Sequence, residues 1–161
     1  KSFFFLCRMS LKVYKQKRKL SGAGKTTEPA GKIKKSKDKL IFVVHKHHAR
    51  NLHWDLRLEM DGVLKSWAVP KEPPTQKNVK RLAIQVEDHP LEYAKFKGII
   101  PEGNYGAGKV EIWDKGFYEL KNRSLNKIEF NLKGKKLIGD YILIKTRYGS
   151  KPGKSWLWFK I

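Results

Sequence analysis

Cysteine is almost missing from this chain: 161 residues contain one, Cys7, so no internal disulfide can form and no stapled secreted scaffold is indicated. Long apolar runs are missing too. Nothing approaches the roughly eighteen residues of a spanning helix, and no long amphipathic basic helix is present. The opening KSFFFLCR carries five apolar residues in a row, too short for a signal-peptide core. With Met9 as a natural start, residues 1–8 read as an extension. These absences make a reducing cytoplasm, at the nucleoid, the expected compartment, with no membrane partner. Acidic residues are few, 15 against 36 basic ones, which leaves a net charge of +21. Such a charge speaks to partners rather than to fold, and a polyanion is the first candidate. Arginine is also scarce: seven of the basic residues are Arg and 29 are Lys. Lysine supplies diffuse phosphate attraction, whereas each arginine fork grips one anion with fixed geometry.

What is there begins with a basic arm. Residues 1–40 hold 13 basic and two acidic residues, and KQKRKLSGAGKTTEPAGKIKKSKDK lacks apolar periodicity. We read residues 1–40 as a mobile or draped arm, the bland alternative being a solvated linker. Residues 41–161 read as one domain of short β-type runs separated by turns. LIFVVHK and the alternating LHWDLRLEM lead through the hairpin turn Asp61-Gly62 into VLKSWAV. KRLAIQVEDH, KVEIWD, GFYEL, KIEFNLKG, KKLIGDYILIKT and SWLWFKI follow, with a short helix expected near Leu91–Phe96. Many short strands, little helical periodicity and no βαβ rhythm predict a mainly β fold, a compact antiparallel β-barrel with little helix. The Gly-rich PEGNYGAG reads as a structural turn rather than a phosphate cradle, because no helix start follows it.

Histidine is rare, yet four of the five fall within nine residues, His45, His47, His48 and His53. Alternation along LHWDLRLEM puts Leu52, Trp54, Leu56, Leu58 and Met60 on a core face and His53, Asp55, Arg57 and Glu59 on the other. The same rule on the fourth strand sets Leu82, Ile84 and Val86 against a row of Arg81, Ala83, Gln85, Glu87 and His89. Such rows face water on most half-exposed sheets. Here, however, lysine is absent from them although it dominates elsewhere. Two imidazoles and one carboxylate suit Mn²⁺, Zn²⁺ or Fe²⁺. His53 and Asp55 point the same way, and His47 completes a facial triad from the neighbouring strand. Arg57 stands next in the row, where a fork could hold a phosphate, and Arg81 and His89 could approach from the other strand. His48 points out of the row.

FVVHKHHARNLHWDLRLEMDGVLKSWAVPK, with KRLAIQVEDHPLEYAKFKGIIPEGNYGAG and VEIWDKG, strongly resembles the 3′-phosphoesterase domain of DNA ligase D and its free-standing archaeal relatives. The resemblance runs over roughly residues 14–118, and without ligase or polymerase modules the chain looks like the free-standing form. It implies a manganese enzyme, zinc or cobalt being alternates, that removes a 3′-terminal ribonucleoside and then the remaining 3′-phosphate to leave a 3′-OH for repair. Its implied partners are DNA primer–template 3′ ends and a separate ligase or polymerase in non-homologous end joining, with the protein a monomer. Carried over by motif, His47, His53 and Asp55 hold the metal, and Arg57, His89 and Tyr93 fall on catalytic positions. Arg57, Arg81, Lys71, Arg18, His45 and Glu28 match phosphate- or substrate-binding positions. The family commonly carries Gln where this chain has His45, and Asp where it has Lys19.

Two other readings compete. A non-enzymatic basic nucleic-acid-binding protein needs only the charge and scattered aromatics. A non-haem iron oxygenase shares the H-x-D ligand pattern but leaves the charge unexplained.

Overall fold

The structure, a computed structural model, describes residues 39–161 and, ahead of them, Gln16 alone. The basic arm, including Cys7, Arg18, Lys19 and Glu28, therefore lies outside the described residues. Nine antiparallel strands follow: β1 (Leu40–His48), β2 (Leu52–Met60), β3 (Val63–Val69), β4 (Lys80–His89), β5 (Gly98–Ile100), β6 (Gly108–Arg123), β7 (Lys127–Lys133), β8 (Ile138–Lys145) and β9 (Ser155–Lys160). The only described helix of this core is a single 3₁₀ turn at Leu91–Lys95, where a short helix was expected. Neighbours run β1–β2–β3–β4–β9–β8–β7–β6 and β6 returns to β1, so eight strands close a barrel and β5 adds to the outside edge of β6. Among the described residues no helix is long and apolar enough to cross a membrane.

Sequence chemistry sets the register. Asp61 and Gly62 both take positive φ, 55° and 78°, the conformation a two-residue hairpin needs for its twist to match the strands. That turn pairs Met60 with Val63 and, counting back, Arg57 with Ser66 and Asp55 with Ala68. The β2 alternation then sends Trp54, Leu56, Leu58 and Met60 into the barrel, as expected. Leu52 is the exception, exposed at the strand's frayed start. Trp67, Trp158, Tyr141, Phe42 and Phe130 fill the interior, as eight strands enclose just enough space for side chains to pack. Each such burial contributes about 1.5–3 kcal/mol.

Two expectations are corrected. KVEIWD and GFYEL are not separate strands: β6 runs through Gly116, where a Cβ would stand 2.2 Å from the Lys133 carbonyl. Glycine there permits close approach instead of ending the strand. The single row on β4 is also broken. Ala83 lies in the barrel core, Arg81 pairs opposite Trp158, and Gln85 accepts from Trp156 Nε1 at 3.2 Å. A bulge then sets three β4 residues against two on β3, since Ser66 pairs with Val86 and Leu64 with His89. The extra residue turns His89 to the outer face, away from the row of Arg81 and Gln85. Lys65 Nζ holds the bulged segment by a 2.7 Å bond to buried Asp88.

A second apolar cluster lies outside the barrel wall. Val43, Leu64 and Val110 face Tyr93, Ala94, Phe96 and Ile100, so the segment after β4 folds back over β1, β2 and β3. The wall beneath is buried on both faces: every residue of β2 from Trp54 to Met60 is buried.

Candidate active site

The polar outer row of β1 and β2 sits beneath that covering segment. Cross-strand partners His47–His53, His45–Asp55 and Val43–Arg57 place the five site side chains, His45, His47, His53, Asp55 and Arg57, on one patch. One ligand atom each from His47, His53 and Asp55 lies within 4.8 Å of the others. His53 Nε2 is 3.5 Å from Asp55 Oδ1, and His47 Nδ1 is 3.7 Å from Oδ2. These gaps are long for hydrogen bonds but near the ~3–3.5 Å that separates two ligands of one ion at about 2.1 Å each. The second nitrogen of each ring is occupied. His47 Nε2 donates to the Gly106 carbonyl at 2.8 Å, and His53 Nδ1 donates to the Asn51 carbonyl at 2.9 Å. With those N–H groups committed, the lone pairs of His47 Nδ1 and His53 Nε2 both face Asp55. Outer hydrogen bonds orient metal-binding histidines in this way, and an N₂O donor set suits Mn²⁺, Zn²⁺, Co²⁺ or Fe²⁺. The residues fit a divalent ion.

Electrostatics are tightly coupled. Burial opposes ionisation of Asp55, but the Arg57 guanidinium and the two imidazoles outweigh it, so the carboxyl is held well below its usual range. For His53 burial disfavours the cation, and the Asp55 carboxylate reverses that, raising the ring's value. His45 is fully buried, and burial together with Arg57 pushes it down to about 3. Its roles follow: Nδ1 accepts from Arg57 Nε at 3.2 Å, and Nε2 donates to the Phe96 carbonyl at 3.0 Å. Both nitrogens are taken, so His45 orients Arg57 and is not a fourth ligand in this arrangement. Burial and Arg57 likewise hold His89 well below its ordinary value, hence neutral.

Arg57 is the hub, 3% exposed. Nη1 donates to Ser66 Oγ at 2.9 Å and lies 3.0 Å from His89 Nδ1, while Nη2 reaches Asp55 Oδ2 at 3.2 Å. The guanidinium carbon lies 4.9 Å over the Tyr93 ring. Nε, one Nη1 hydrogen and one Nη2 hydrogen are directed at protein groups, and the second Nη1 hydrogen has an acceptor in His89 Nδ1 only when that nitrogen carries no proton. A two-pronged phosphate grip, as expected for Arg57, would need some of these bonds to break. His89 Nδ1 is also 3.0 Å from the Glu87 carbonyl, and its contacts to Arg57 and Glu87 call for opposite tautomers.

The remaining candidates stand apart from this cluster. Arg81 Nε donates to the Glu72 carbonyl in the loop after β3, and Lys71 is exposed in the same loop. Register puts that loop toward the His53 end of β2, because Trp54 pairs with Val69. His48 points out of the row, as expected, and bonds Glu111 at 2.9 Å. Glu59, in the row by alternation, accepts the Ile41 amide at 3.0 Å and serves the strand, not the site. Sequence reading missed Ser66, although the Asp61-Gly62 turn already fixes it opposite Arg57. It also missed the Gly106 carbonyl: PEGNYGAG is a turn, as expected, but one whose backbone orients His47.

The family model described as the DNA ligase D 3′-phosphoesterase domain matches residues 45–145. The multifunctional non-homologous end joining DNA repair protein LigD of Mycobacterium tuberculosis is 48% identical over 145 residues, 87% of this chain and 18% of that protein. LigD of Pseudomonas aeruginosa is 48% identical over 143 residues, 84% of this chain and 17% of the relative. LigD of Mycolicibacterium smegmatis is 46% identical over 152 residues, 87% and 19% respectively. The chain thus spans about a fifth of the length of these curated relatives.

Proposed function

The chain belongs to the DNA ligase D 3′-phosphoesterase family, and from that premise we propose that it is a manganese-dependent hydrolase that heals DNA 3′ ends. The reaction runs in two steps. Water first attacks the phosphorus that joins a 3′-terminal ribonucleoside to the strand, releasing the ribonucleoside and leaving a 3′-phosphate. A second hydrolysis releases inorganic phosphate and leaves a 3′-OH that a ligase or polymerase can extend.

One observation carries this reading: His47 Nδ1, His53 Nε2 and an Asp55 oxygen converge within 4.8 Å while backbone carbonyls hold the other ring nitrogens. A divalent ion bound there supplies Lewis-acid stabilisation of charge on the transferring phosphoryl group. The chain's own groups do the rest. Arg57 brings its positive charge and its remaining Nη2 hydrogen to the same edge of Asp55, and His45, Ser66 and Tyr93 hold the guanidinium in place. His89, kept neutral, serves as a hydrogen-bond partner for a phosphoryl oxygen rather than as a standing acid. The covering segment, residues 90–107, excludes water from the back of the cluster and strengthens each interaction within it. Lys71 and Arg81 attract the strand at the His53 end, and Arg18 and Glu28 of the arm complete the site in this reading.

The test is a gel on two primers annealed to a template, one ending in a single ribonucleotide and one in a 3′-phosphate. With Mn²⁺ both should be trimmed to a 3′-OH, and chelator or His53→Ala should stop both. Tight binding with no trimming would replace the enzyme by a basic nucleic-acid-binding protein.

A further inference from the structure

Among the described residues, β6 beside the triad is short of partners on one edge. β5 pairs with it only from Gly108 to Val110 and β7 only from Phe117 to Arg123. Between them, residues 111–115 border an open groove of about 640 Å³. Five exposed lysines line it: Lys97, Lys109, Lys115, Lys135 and Lys136. Its two carboxylates are already engaged. Asp114 accepts four backbone amides, from Lys115, Lys135, Lys136 and Leu137 at 2.8–3.1 Å. Glu111 is bridged by Lys109 at 2.8 Å and by His48 at 2.9 Å. The groove is therefore cationic in excess. It also has apolar surface, with Trp113 beneath Lys136 Nζ at 4.4 Å and Ile99 74% exposed at the rim.

Its position relative to the triad is fixed by register. Gly98, Val110, His47 and His53 stand opposite one another on four successive strands. Three strand spacings of ~4.8 Å put the rim about 14 Å from His53. At ~3.4 Å per nucleotide along a duplex strand, that distance is about four nucleotides. Resting on the function proposed above, we propose that this groove holds the phosphodiester backbone of the DNA strand whose 3′ end enters the triad. Its lysines meet phosphates from about the fourth nucleotide inward. Point charges on flexible stems suit this task, because a backbone track needs attraction without base recognition.

The experiment measures binding, not turnover. The full chain, in chelator, is titrated onto a fluorescent duplex of roughly 15 base pairs with a recessed 3′ end, across a salt series. Lys115→Ala/Lys135→Ala/Lys136→Ala should lower the slope of log affinity against log salt by about two to three, and Lys97→Ala alone by about one. A control of equal charge, Lys145→Ala/Lys151→Ala/Lys154→Ala, removes exposed lysines from elsewhere on the barrel and should change the slope by less than about one. Equal losses from both triples would mean a diffuse field and would overturn the groove, as would an unchanged slope in both groove variants. The primer gel is independent of this readout: a chain that trims nothing but shows the predicted slopes defeats the function and spares the groove, and the reverse result does the opposite.

Discussion

On β7, outward side chains Lys127, Glu129 and Asn131 alternate with the interior residues Ile128, Phe130 and Leu132, and on β1 and β2 the outward side chains are His45, His47, His53, Asp55 and Arg57. Both walls obey the same period of two. On the β6–β8 wall Lys121 pairs with Asp140 at 2.8 Å, Lys127 pairs with Glu129, and Asn131 reaches Asp140, all open to water. Such exposed pairs are screened and contribute little. On the near wall the segment after β4 lies over the row, and the same kinds of charge move one another's ionisation strongly. The difference lies in the cover, not in the strand.

That comparison can be broken at several points. The largest effect is expected from Asp55→Asn, which keeps the shape and removes the charge that joins both imidazoles to Arg57. The primer gel should show about a 10³-fold loss, the scale of a positioned catalytic group, while Asp140→Asn on the β6–β8 wall leaves rates unchanged. Equal losses would erase the distinction between the walls. Next, Arg57→Lys cannot serve His45, Ser66, His89 and Asp55 at once, because an ammonium lacks the planar fork. Initial rates should fall about 10²-fold, and Lys121→Arg should be silent.

Acid supplies a third test. The unfolded His45 titrates near ~6.5 and the folded ring near about 3. Between these values only the unfolded chain takes up the proton, so stability contributed by His45 is lost as pH falls below the unfolded value. His89 acts in the same sense, and His53, whose value is raised, in the opposite one. Glutamine also offers one acceptor and one donor, for Arg57 Nε and the Phe96 carbonyl, but does not titrate. Urea midpoints from pH 7.5 down to pH 5 should therefore fall less steeply for His45→Gln than for the parent chain. The smallest effect is expected from Ser66→Ala, which removes one acceptor from Arg57 and costs about 1.5–3 kcal/mol in the same urea assay. Lys133→Ala on the β6–β8 wall should give no measurable shift.

Much of this was legible in the sequence. The hairpin turn and strand alternation place His53, Asp55 and Arg57 on one face, and, Leu52 apart, the core face of LHWDLRLEM is where the pattern puts it. His89 was harder, because a bulge adds one residue and reverses a face, and no single residue in KRLAIQVEDH announces it. Gly116 misled by looking like a break when its role is contact with the Lys133 carbonyl. The engagement of Arg57 depends on side chains from β1, β3 and β4 and on the ring of Tyr93, a convergence in three dimensions that local pattern does not encode.

The unbroken burial of β2 from Trp54 to Met60 has a consequence in time as well as in space. Amides covered on both sides trade hydrogen for deuterium only when the whole barrel opens, whereas those of a wall covered on one side escape through smaller fluctuations. The backbone under Asp55 and Arg57 should thus be among the last to take up label. The strand that carries Asp55 and Arg57 would keep one of the slowest clocks among the described strands.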